Sequence, residues 1–302
     1  MANVEVAVAE PAELGECPLW SPEDSLLYWI DIDGRAVHRY DPSNGADEVC
    51  ALPGRPGSIA RTAEAGRLLV ATEHQLVWLD FDTGVVTPWL ELETAHAGIR
   101  MNDGRTDPAG RFVVGSMFED TRAGKTVGSL HRIDADSTHE VLRTGVGTAN
   151  GLGFDPDRGR MYFADTPTLE VVCWQYDAAT GSRSDERVFF DYSTIDGKPD
   201  GACVDADGCY WSASVYGWAV TRITPDGVVD RRIDVPVEKP SMPAFGGPNL
   251  DTLFVTSIGE SSEPGRNGVE PGALLAIDLS AEDIHGVVDA PFAGTPPTFD
   301  AS

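Results

Sequence analysis

Short runs of apolar and aromatic residues recur along the chain, each after a turn rich in Asp, Gly or Pro. Six such segments are visible: SPEDSLLYWIDI, TAEAGRLLVATE, DPAGRFVVGSM, DPDRGRMYFADT, DADGCYWSAS and GPNLDTLFVTS. Their central residues, which lie about 41 to 49 residues apart, are Trp29, Val70, Val114, Phe163, Trp211 and Val255. That period is typical of a four-stranded antiparallel sheet that forms one blade of a propeller. The repeat therefore predicts six blades.

A second run follows each segment and alternates apolar with polar residues, as in AVHRYDPSNG and VVCWQYDAATG. Such alternation, closed by Asp, Gly or Asn, is typical of half-buried antiparallel strands. The runs together predict an all-β fold, a six-bladed β-propeller with four-stranded antiparallel blades that forms one domain over residues 1–302. The leading VEVAVAE is expected to close the ring as a strand of the last blade, beside residues 273–292. Irregular stretches at 116–128 and 256–271 are expected to form loops over a central pocket.

The composition agrees with a soluble globular protein that has many tight turns. Hydrophobic residues make up 41% of the 302 residues, with 32 Gly and 21 Pro. Since no run of about 18 apolar residues predicts a membrane span and the N-terminus has no signal-peptide pattern, we expect a cytoplasmic protein without a membrane partner. The five cysteines are odd in number and lack CxxC spacing, which indicates neither a disulfide framework nor a thiolate zinc site. The sequence leaves the oligomeric state open.

Acidic residues outnumber basic ones, 49 against 22, and the formal net charge is −27. A surface of this charge repels phosphate backbones, which excludes nucleic acid as a partner. Lysine occurs only as Lys125, Lys198 and Lys239. An acidic surface with so few lysines resembles that of proteins from salt-loving organisms. The alternative explanation is a GC-rich genome that favours Arg and Asp codons.

Four polar residues lie at similar positions in their repeats, 11 to 13 residues ahead of the central residue: Glu16, Asn102, Asn150 and Asp200. The strand that enters a propeller blade is its innermost one, so these side chains are predicted to converge on the axis. Two carboxylates and two amides in one buried spot would repel each other or stay unsatisfied unless a cation joined them. Oxygen ligands favour Ca²⁺, Mg²⁺ or Mn²⁺, with Fe²⁺ or Zn²⁺ as further candidates. The alternative is that NDG, NGL and PDG only form turns.

The blocks around these residues resemble those of a known family. LGECPLWSPEDSLLYWIDI, RMNDGRTDPAGRFVVGSM, TANGLGFDPDRGRMYFADT and PDGACVDADGCYW occur in the order found in the SMP-30/gluconolactonase/luciferin-regenerating-enzyme family, which includes regucalcin and bacterial sugar lactonases. The resemblance runs over nearly the whole chain. It implies a six-bladed propeller, in agreement with the repeat count, and one divalent metal ion as cofactor.

The resemblance also implies roles for individual residues. Glu16, Asn150 and Asp200 correspond to the metal ligands of the family. Asn102 lies close to the metal and is expected to face the substrate, as is Arg100 in the IRMNDG block.

Glu119, in SMFED, resembles an acidic residue of the family that binds sugar hydroxyls, although the loop after it is less alike. Arg100 and Glu119 could instead form a surface ion pair. Asp103 follows Asn102 in the same block and is a second candidate base.

The function implied by the resemblance is hydrolysis of a sugar lactone to its aldonic acid, as in gluconolactonase, xylonolactonase or arabinonolactonase in sugar catabolism. A divalent ion polarises the ester carbonyl and lowers the pKa of a bound water molecule. Asp200 is the expected general base, with Asp103 as the second candidate. The absence of a Gly-x-Ser-x-Gly motif argues against a serine esterase. The alternatives are an organophosphate-hydrolysing member of the family and a non-catalytic calcium-binding propeller.

If the acidic surface is an adaptation to salt, the free energy of unfolding should rise as KCl is raised from millimolar to molar concentration. Salt screens the repulsion among surface carboxylates, which is longest in range at low ionic strength. Urea denaturation at a series of KCl concentrations measures the effect. A free energy of unfolding that does not respond to KCl supports the codon-usage explanation instead.

Overall fold

Six antiparallel sheets of four strands each surround a central axis. They are seen in a computed structural model, which describes residues 3–92 and 96–299. The first strand of the chain, β1 (Asn3–Val8), belongs to the last blade. In the other five blades the four strands follow one another in the chain. The predicted six-bladed propeller with four-stranded antiparallel blades is thus confirmed.

The strands of blades 1 to 3 follow the expected order of segments. Blade 1 comprises β2 (Gly15–Ser21), β3 (Leu26–Asp31), β4 (Ala36–Asp41) and β5 (Ala46–Ala51). Blade 2 comprises β6 (Ser58–Arg61), β7 (Arg67–Ala71), β8 (Gln75–Asp80) and β9 (Val85–Glu91). Blade 3 comprises β10 (Ile99–Thr106), β11 (Phe112–Phe118), β12 (Gly128–Ile133) and β13 (His139–Val146).

The remaining three blades complete the ring. Blade 4 comprises β14 (Ala149–Asp155), β15 (Arg160–Asp165), β16 (Glu170–Asp177) and β17 (Ser182–Asp191). Blade 5 comprises β18 (Lys198–Val204), β19 (Tyr210–Val215), β20 (Ala219–Ile223) and β21 (Val229–Asp234). Blade 6 comprises β22 (Pro240–Gly246), β23 (Thr252–Ser257), β24 (Leu274–Asp278) and, as its outer strand, β1.

The N-terminal strand closes the propeller. β1 pairs antiparallel with β24, with Val4 opposite Ile277 and Val6 opposite Leu275. The expected role of VEVAVAE is therefore confirmed. Because the last blade contains both ends of the sheet-forming chain, its backbone hydrogen bonds hold the ring shut.

The apolar segments that define the repeat form the core between the blades. Their six central residues are at most 1% exposed. Burying a side chain of this size contributes about 2 kcal/mol each. The innermost strands β2, β6, β10, β14, β18 and β22 contact one another around the axis. We call the face at which these strands begin the top face and the opposite one the bottom face.

Two long loops lie on the top face, where they join the second and third strands of blades 3 and 6. They run over residues 119–127 and 258–273, shorter than expected at their starts because Phe118 and Ser257 still belong to strands. All five cysteines are free thiols. Within the described ranges, every helix is a three-residue 3-10 turn, and none is long and apolar enough to cross a membrane.

The segment after β24 crosses the bottom face. There Asp289 forms an ion pair with Arg105 of β10, which is buried. Arg105 also donates from Nε to the carbonyl of Leu152 at 3.1 Å and from Nη2 to that of Ala202 at 2.5 Å. One guanidinium thus connects three inner strands to the C-terminal segment. Phe292 completes the contact by packing against aromatic residues of blade 2.

Replacing Asp289 by Ala should lower the free energy of unfolding by about 2 to 4 kcal/mol, since it leaves the buried Arg105 guanidinium without its counter-ion. Urea denaturation measures the change. Asp226→Ala is the control, because Asp226 is an exposed turn residue. Equal stabilities of the two variants would contradict the role given to the ion pair.

Candidate functional site

Five of the six inner strands have the same irregularity near the top face. At this point two residues of the inner strand oppose one residue of its partner, which is a β-bulge. The last regular pairs before the bulges are Glu16↔Ile30, Met101↔Ser116, Asn150↔Ala164, Pro199↔Ser214 and Pro240↔Ser257. A bulge re-aims the side chains beside it, so this ring of bulges sets the directions of the axial residues.

The four polar residues predicted from the repeat occupy two neighbouring positions rather than one. Glu16 and Asn150 are the last paired residues before the bulge, whereas Asn102 and Asp200 lie one residue further on than the last pair of their strands, inside the bulge. The expectation of a single register is corrected accordingly. Spacing to the nearest apolar residue could not reveal this, because the pairing shifts by one residue at each bulge.

The residue that follows the last pair has a left-handed backbone in two of these strands. Gly151 has a φ of +64°, and a Cβ there would lie 2.5 Å from the hydroxyl of Tyr210. Cys17 has a φ of 47°, a conformation that costs about 1 to 2 kcal/mol for a residue other than glycine. Its thiol accepts a hydrogen bond from Ile59 N at 3.3 Å and donates one to the Ile59 carbonyl at 3.6 Å. These contacts hold the chain in the strained form beside Glu16.

A network of amide hydrogen bonds joins blade 3 to blade 4. Arg100 donates from Nη1 to Oδ1 of Asn102 at 2.6 Å. Asn102 donates from Nδ2 to Oδ1 of Asn150 at 2.9 Å and to the carbonyl of Ala149 at 2.8 Å. Both ends of the Asn102 amide are thus bonded to protein groups. Asn102 orients the oxygen of Asn150, and Arg100 orients Asn102.

The network continues into blade 5 through Thr166, which the sequence reasoning missed. Asn150 donates from Nδ2 to the Thr166 hydroxyl at 2.8 Å, and that hydroxyl donates to the carbonyl of Pro199 at 2.8 Å. The amide nitrogen of Asn150 is therefore occupied, which leaves its oxygen directed at Asn102 and the axis. Thr166 ends the block GRMYFADT, but nothing in its spacing marked it.

Three carboxylates on the axis disfavour one another's ionisation. Burial, together with the charges of Asp200 and Asp103, raises the pKa of Glu16 well above its usual range. Burial and the charge of Asp103 raise the pKa of Asp200 to about 8. The fold therefore places Glu16 of blade 1 and Asp200 of blade 5 close enough for their charges to repel each other. The mutual repulsion identifies a position where a positive charge would be stabilised.

Asp103 is the third carboxylate. Burial raises its pKa to about 6, although Leu152 N donates to its Oδ2 at 2.9 Å. Its Oδ1 is buried, and no group in the described part of the chain donates a hydrogen bond to it. A buried carboxylate oxygen without a donor is costly and indicates a missing ligand or water.

The donor set fits a hard divalent cation. It consists of carboxylate oxygens from Glu16 and Asp200 and an amide oxygen from Asn150, and hard cations prefer such oxygen ligands. The residues that the structure describes contain no group of three or more His, Cys, Asp or Glu placed to hold a metal. The fit therefore depends on the amide oxygen of Asn150 in addition to the two carboxylates.

Glu119 lies on the top face but does not pair with Arg100. Its Oε1 lies 2.8 Å from Nη2 of Arg55. Arg55 also contacts Glu73 through Nε at 3.4 Å and Asp33 through Nη1 at 3.6 Å. Arg100 is buried, and burial together with the charge of Arg55 lowers its pKa, which the charge of Glu119 partly offsets. The alternative of an Arg100–Glu119 ion pair is thus replaced by Arg55–Glu119. Arg55, in PGRPGS, had no sequence signal.

A cavity of about 180 Å³ lies at the opposite end of the axis, on the bottom face. It is lined by Leu19, Arg105, Phe154 and Val204, which follow the bulges in their strands, and by the C-terminal segment 287–290. Its lining includes Arg105 and Asp289 but not Glu16, Asp103 or Asp200. We therefore assign the chemistry to the carboxylate cluster rather than to the cavity.

Comparisons with known proteins agree with the fold. A pentonolactonase of Haloferax volcanii is 38% identical over 89% of this chain and 91% of its own, and a 6-deoxy-6-sulfogluconolactonase of Pseudomonas putida is 38% identical over 97% and 99%. The crystal structure of a calcium-binding protein, regucalcin, from Agrobacterium tumefaciens covers 96% of this chain and 97% of its own at 29% identity, with a TM-score of 0.87. The family model described as the SMP-30/gluconolactonase/LRE-like region matches residues 14–259. The chain therefore belongs to the SMP-30/gluconolactonase family.

Proposed function

We propose that this protein is a carboxylic ester hydrolase that opens a sugar lactone to its aldonic acid with the help of one divalent metal ion. The observation that carries the proposal is a cluster of three carboxylates, of which Asp103 and Asp200 are buried and Glu16 is half-buried, beside an oriented amide oxygen on the propeller axis. The substrate class comes from the relatives, which are named for the hydrolysis of pentonolactones and of a sulfogluconolactone.

Glu16, Asn150 and Asp200 would hold the metal ion. Bound there, the ion would polarise the lactone carbonyl and lower the pKa of a water molecule. Its identity is proposed only as a hard or borderline divalent cation, among Ca²⁺, Mn²⁺, Mg²⁺, Zn²⁺ and Fe²⁺, because carboxylate and amide oxygens accept all of these.

Asp200 is the proposed general base. It is buried, and burial together with the charge of Asp103 raises its pKa, so a cation nearby would favour its ionised form. A carboxylate in that position accepts the proton of the attacking water as the tetrahedral intermediate forms. Asp103 is the second candidate, because its free Oδ1 is a hydrogen-bond acceptor and its pKa of about 6 suits proton transfer near neutral pH.

Arg100, Asn102 and Glu119 are proposed to bind and orient the substrate. Arg100 adds positive charge near the developing oxyanion, where a fixed charge stabilises the transition state more than the ground state. Asn102 keeps the Asn150 oxygen turned to the axis. Glu119, held by Arg55, presents carboxylate oxygens that accept hydrogen bonds from sugar hydroxyls.

Asp200→Asn should lower kcat by about 100-fold or more while the protein stays folded, since the amide can neither accept the proton nor supply a negative charge. A pH-stat assay on an aldonolactone, with circular dichroism as the folding check, measures both. Asp103→Asn tests the second candidate in the same assay. Asp226→Asn is the matched control, because it makes the same change on the exposed surface. Full activity of Asp200→Asn would refute the assignment.

Removing divalent metal should abolish activity and also make stability fall with pH. The pKa values of Asp103 and Asp200, about 6 and about 8, lie above the unfolded value of about 4. Between these values the folded state binds more protons than the unfolded state, so the free energy of unfolding of the metal-free protein decreases as pH rises from about 4 to about 8. Added metal competes with those protons and should stabilise most at the upper end.

Thermal unfolding from pH 4 to pH 8, in a chelator and in added Ca²⁺ or Mn²⁺, checks this dependence. Lactonase activity in the same two conditions checks the requirement for metal. Full activity of the chelated protein, or a metal-induced change in Tm that is the same at every pH, would contradict the proposed metal centre.

A further inference from the structure

Three inner strands have a cation at the same place on the top face. The residue just before the last regular pair is Arg100 on β10, Lys198 on β18 and Lys239 ahead of β22. In blades 5 and 6 this position forms a repeated Lys-Pro pair, KPDG and KPSM. Since equivalent positions of neighbouring inner strands lie side by side, the repeat brings the two lysines together.

The two ammonium groups meet on one aromatic ring. Lys239 Nζ lies 5.0 Å and Lys198 Nζ 5.6 Å from the centre of the Tyr216 ring. Tyr216 is on the loop between β19 and β20 and is 52% exposed. Both cations therefore lie within cation–π distance of one exposed ring on the top face.

Neither lysine forms a direct ion pair with a described carboxylate. Hydrogen bonds from Ser261 and Ser262, together with the charge of Lys239, lower the pKa of Glu238, the chain neighbour of that lysine. The chain has 49 acidic residues and only three lysines, yet in the described part of the chain no carboxylate lies within 4 Å of Lys198 or Lys239, although several arginines are paired in this way. Lys239 Nζ donates to the backbone carbonyl of Glu260 at 2.5 Å. An ammonium group has three protons to donate, so both lysines keep donors for a ligand.

The lysines lie close to the proposed metal centre. Lys198 precedes Asp200 by two residues of extended strand, which span about 7 Å. Lys239 precedes Ser241 by two residues, and the Ser241 hydroxyl donates to the carbonyl of Gly15, the neighbour of Glu16, at 2.5 Å. The pair is therefore set to one side of the carboxylates, within reach of the far end of a substrate whose ester is at the axis.

We propose that Lys198 and Lys239 form a subsite for an anionic group carried by the lactone at the end remote from its ester carbonyl. The ligand chemistry is a sulfonate, phosphate or carboxylate, each of which offers several oxygens to two ammonium groups. The inference rests on the proposed lactonase function and narrows its substrate to a charged sugar lactone. Lys198 and Lys239 are then specificity-determining residues, since a neutral lactone has no group for them to bind.

The test compares kcat/KM for glucono-1,5-lactone with that for its 6-phosphate and its 6-deoxy-6-sulfo derivative. The wild-type protein should prefer at least one charged lactone by tenfold or more, and the preference should fall as KCl is raised because salt screens the attraction. The charged lactone that is preferred distinguishes phosphate from sulfonate. Equal or better hydrolysis of the neutral lactone, with the carboxylate-bearing glucaro-lactone no better, overturns the proposal.

The double variant Lys198→Met/Lys239→Met should lower the ratio of charged to neutral kcat/KM by tenfold or more, and Lys198→Arg/Lys239→Arg should retain most of it. Lys125→Met is the matched control. It removes the same charge from the same face, but Lys125 lies on blade 3 over the ring of Phe118. If Lys125→Met lowers the ratio as much as the double variant does, the preference comes from the overall electrostatic potential of the top face, and the subsite is refuted.

Hydrolysis of none of these lactones would be a failure of the proposed function, and the subsite is then decided by binding. Calorimetry should give at least tenfold tighter binding of 6-phosphogluconate or of 6-deoxy-6-sulfogluconate than of gluconate to the wild-type protein. The double variant should lose this difference. Equal affinities for gluconate and for the two acids that carry a second anionic group at C6, or a difference that survives in the double variant, refute the subsite independently of catalysis.

Discussion

The repulsion among three carboxylates buried on one axis is the constraint around which the site is built. Glu16, Asp103 and Asp200 come from three blades, and each is removed from water that would otherwise stabilise its charge. Hydrogen bonds from backbone amides and the charge of Arg100 offset part of that cost. A divalent cation bound between these oxygens would offset the remainder.

The propeller supplies the rigidity that this arrangement needs. A cluster of like charges persists only where the surrounding structure prevents the side chains from separating. Here the bulges fix side-chain directions, and the chain of hydrogen bonds from Arg100 through Asn102 and Asn150 to Thr166 links blades 3, 4 and 5. On the bottom face the C-terminal segment and Arg105 hold the inner strands together. The top face thus holds the proposed site, and the bottom face holds the contacts that tie the inner strands to the C-terminal segment.

Charge is distributed unevenly over this acidic protein. All three lysines lie on the top face, whereas the net charge of the chain is −27. A few cations gathered beside a buried site act on an approaching anion at short range, where screening is least effective. Arg55 with Glu119, Glu73 and Asp33 forms a second charged group at the same mouth. The two groups offer different chemistry to different parts of one substrate.

The sequence by itself determined the number of blades, the core residue of each and the oxygen donors of the axis. These features are local, since strand alternation, turn residues and repeat length are written in consecutive positions. Only the tertiary structure decided that Glu16 and Asp200 occupy different positions beside a bulge, that Thr166 orients Asn150, and that Glu119 binds Arg55 rather than Arg100. It also brought Lys198 and Lys239 onto one aromatic ring. Such contacts join residues that are distant in the chain, and their geometry depends on strand register and on the packing of neighbouring blades, which no local pattern encodes.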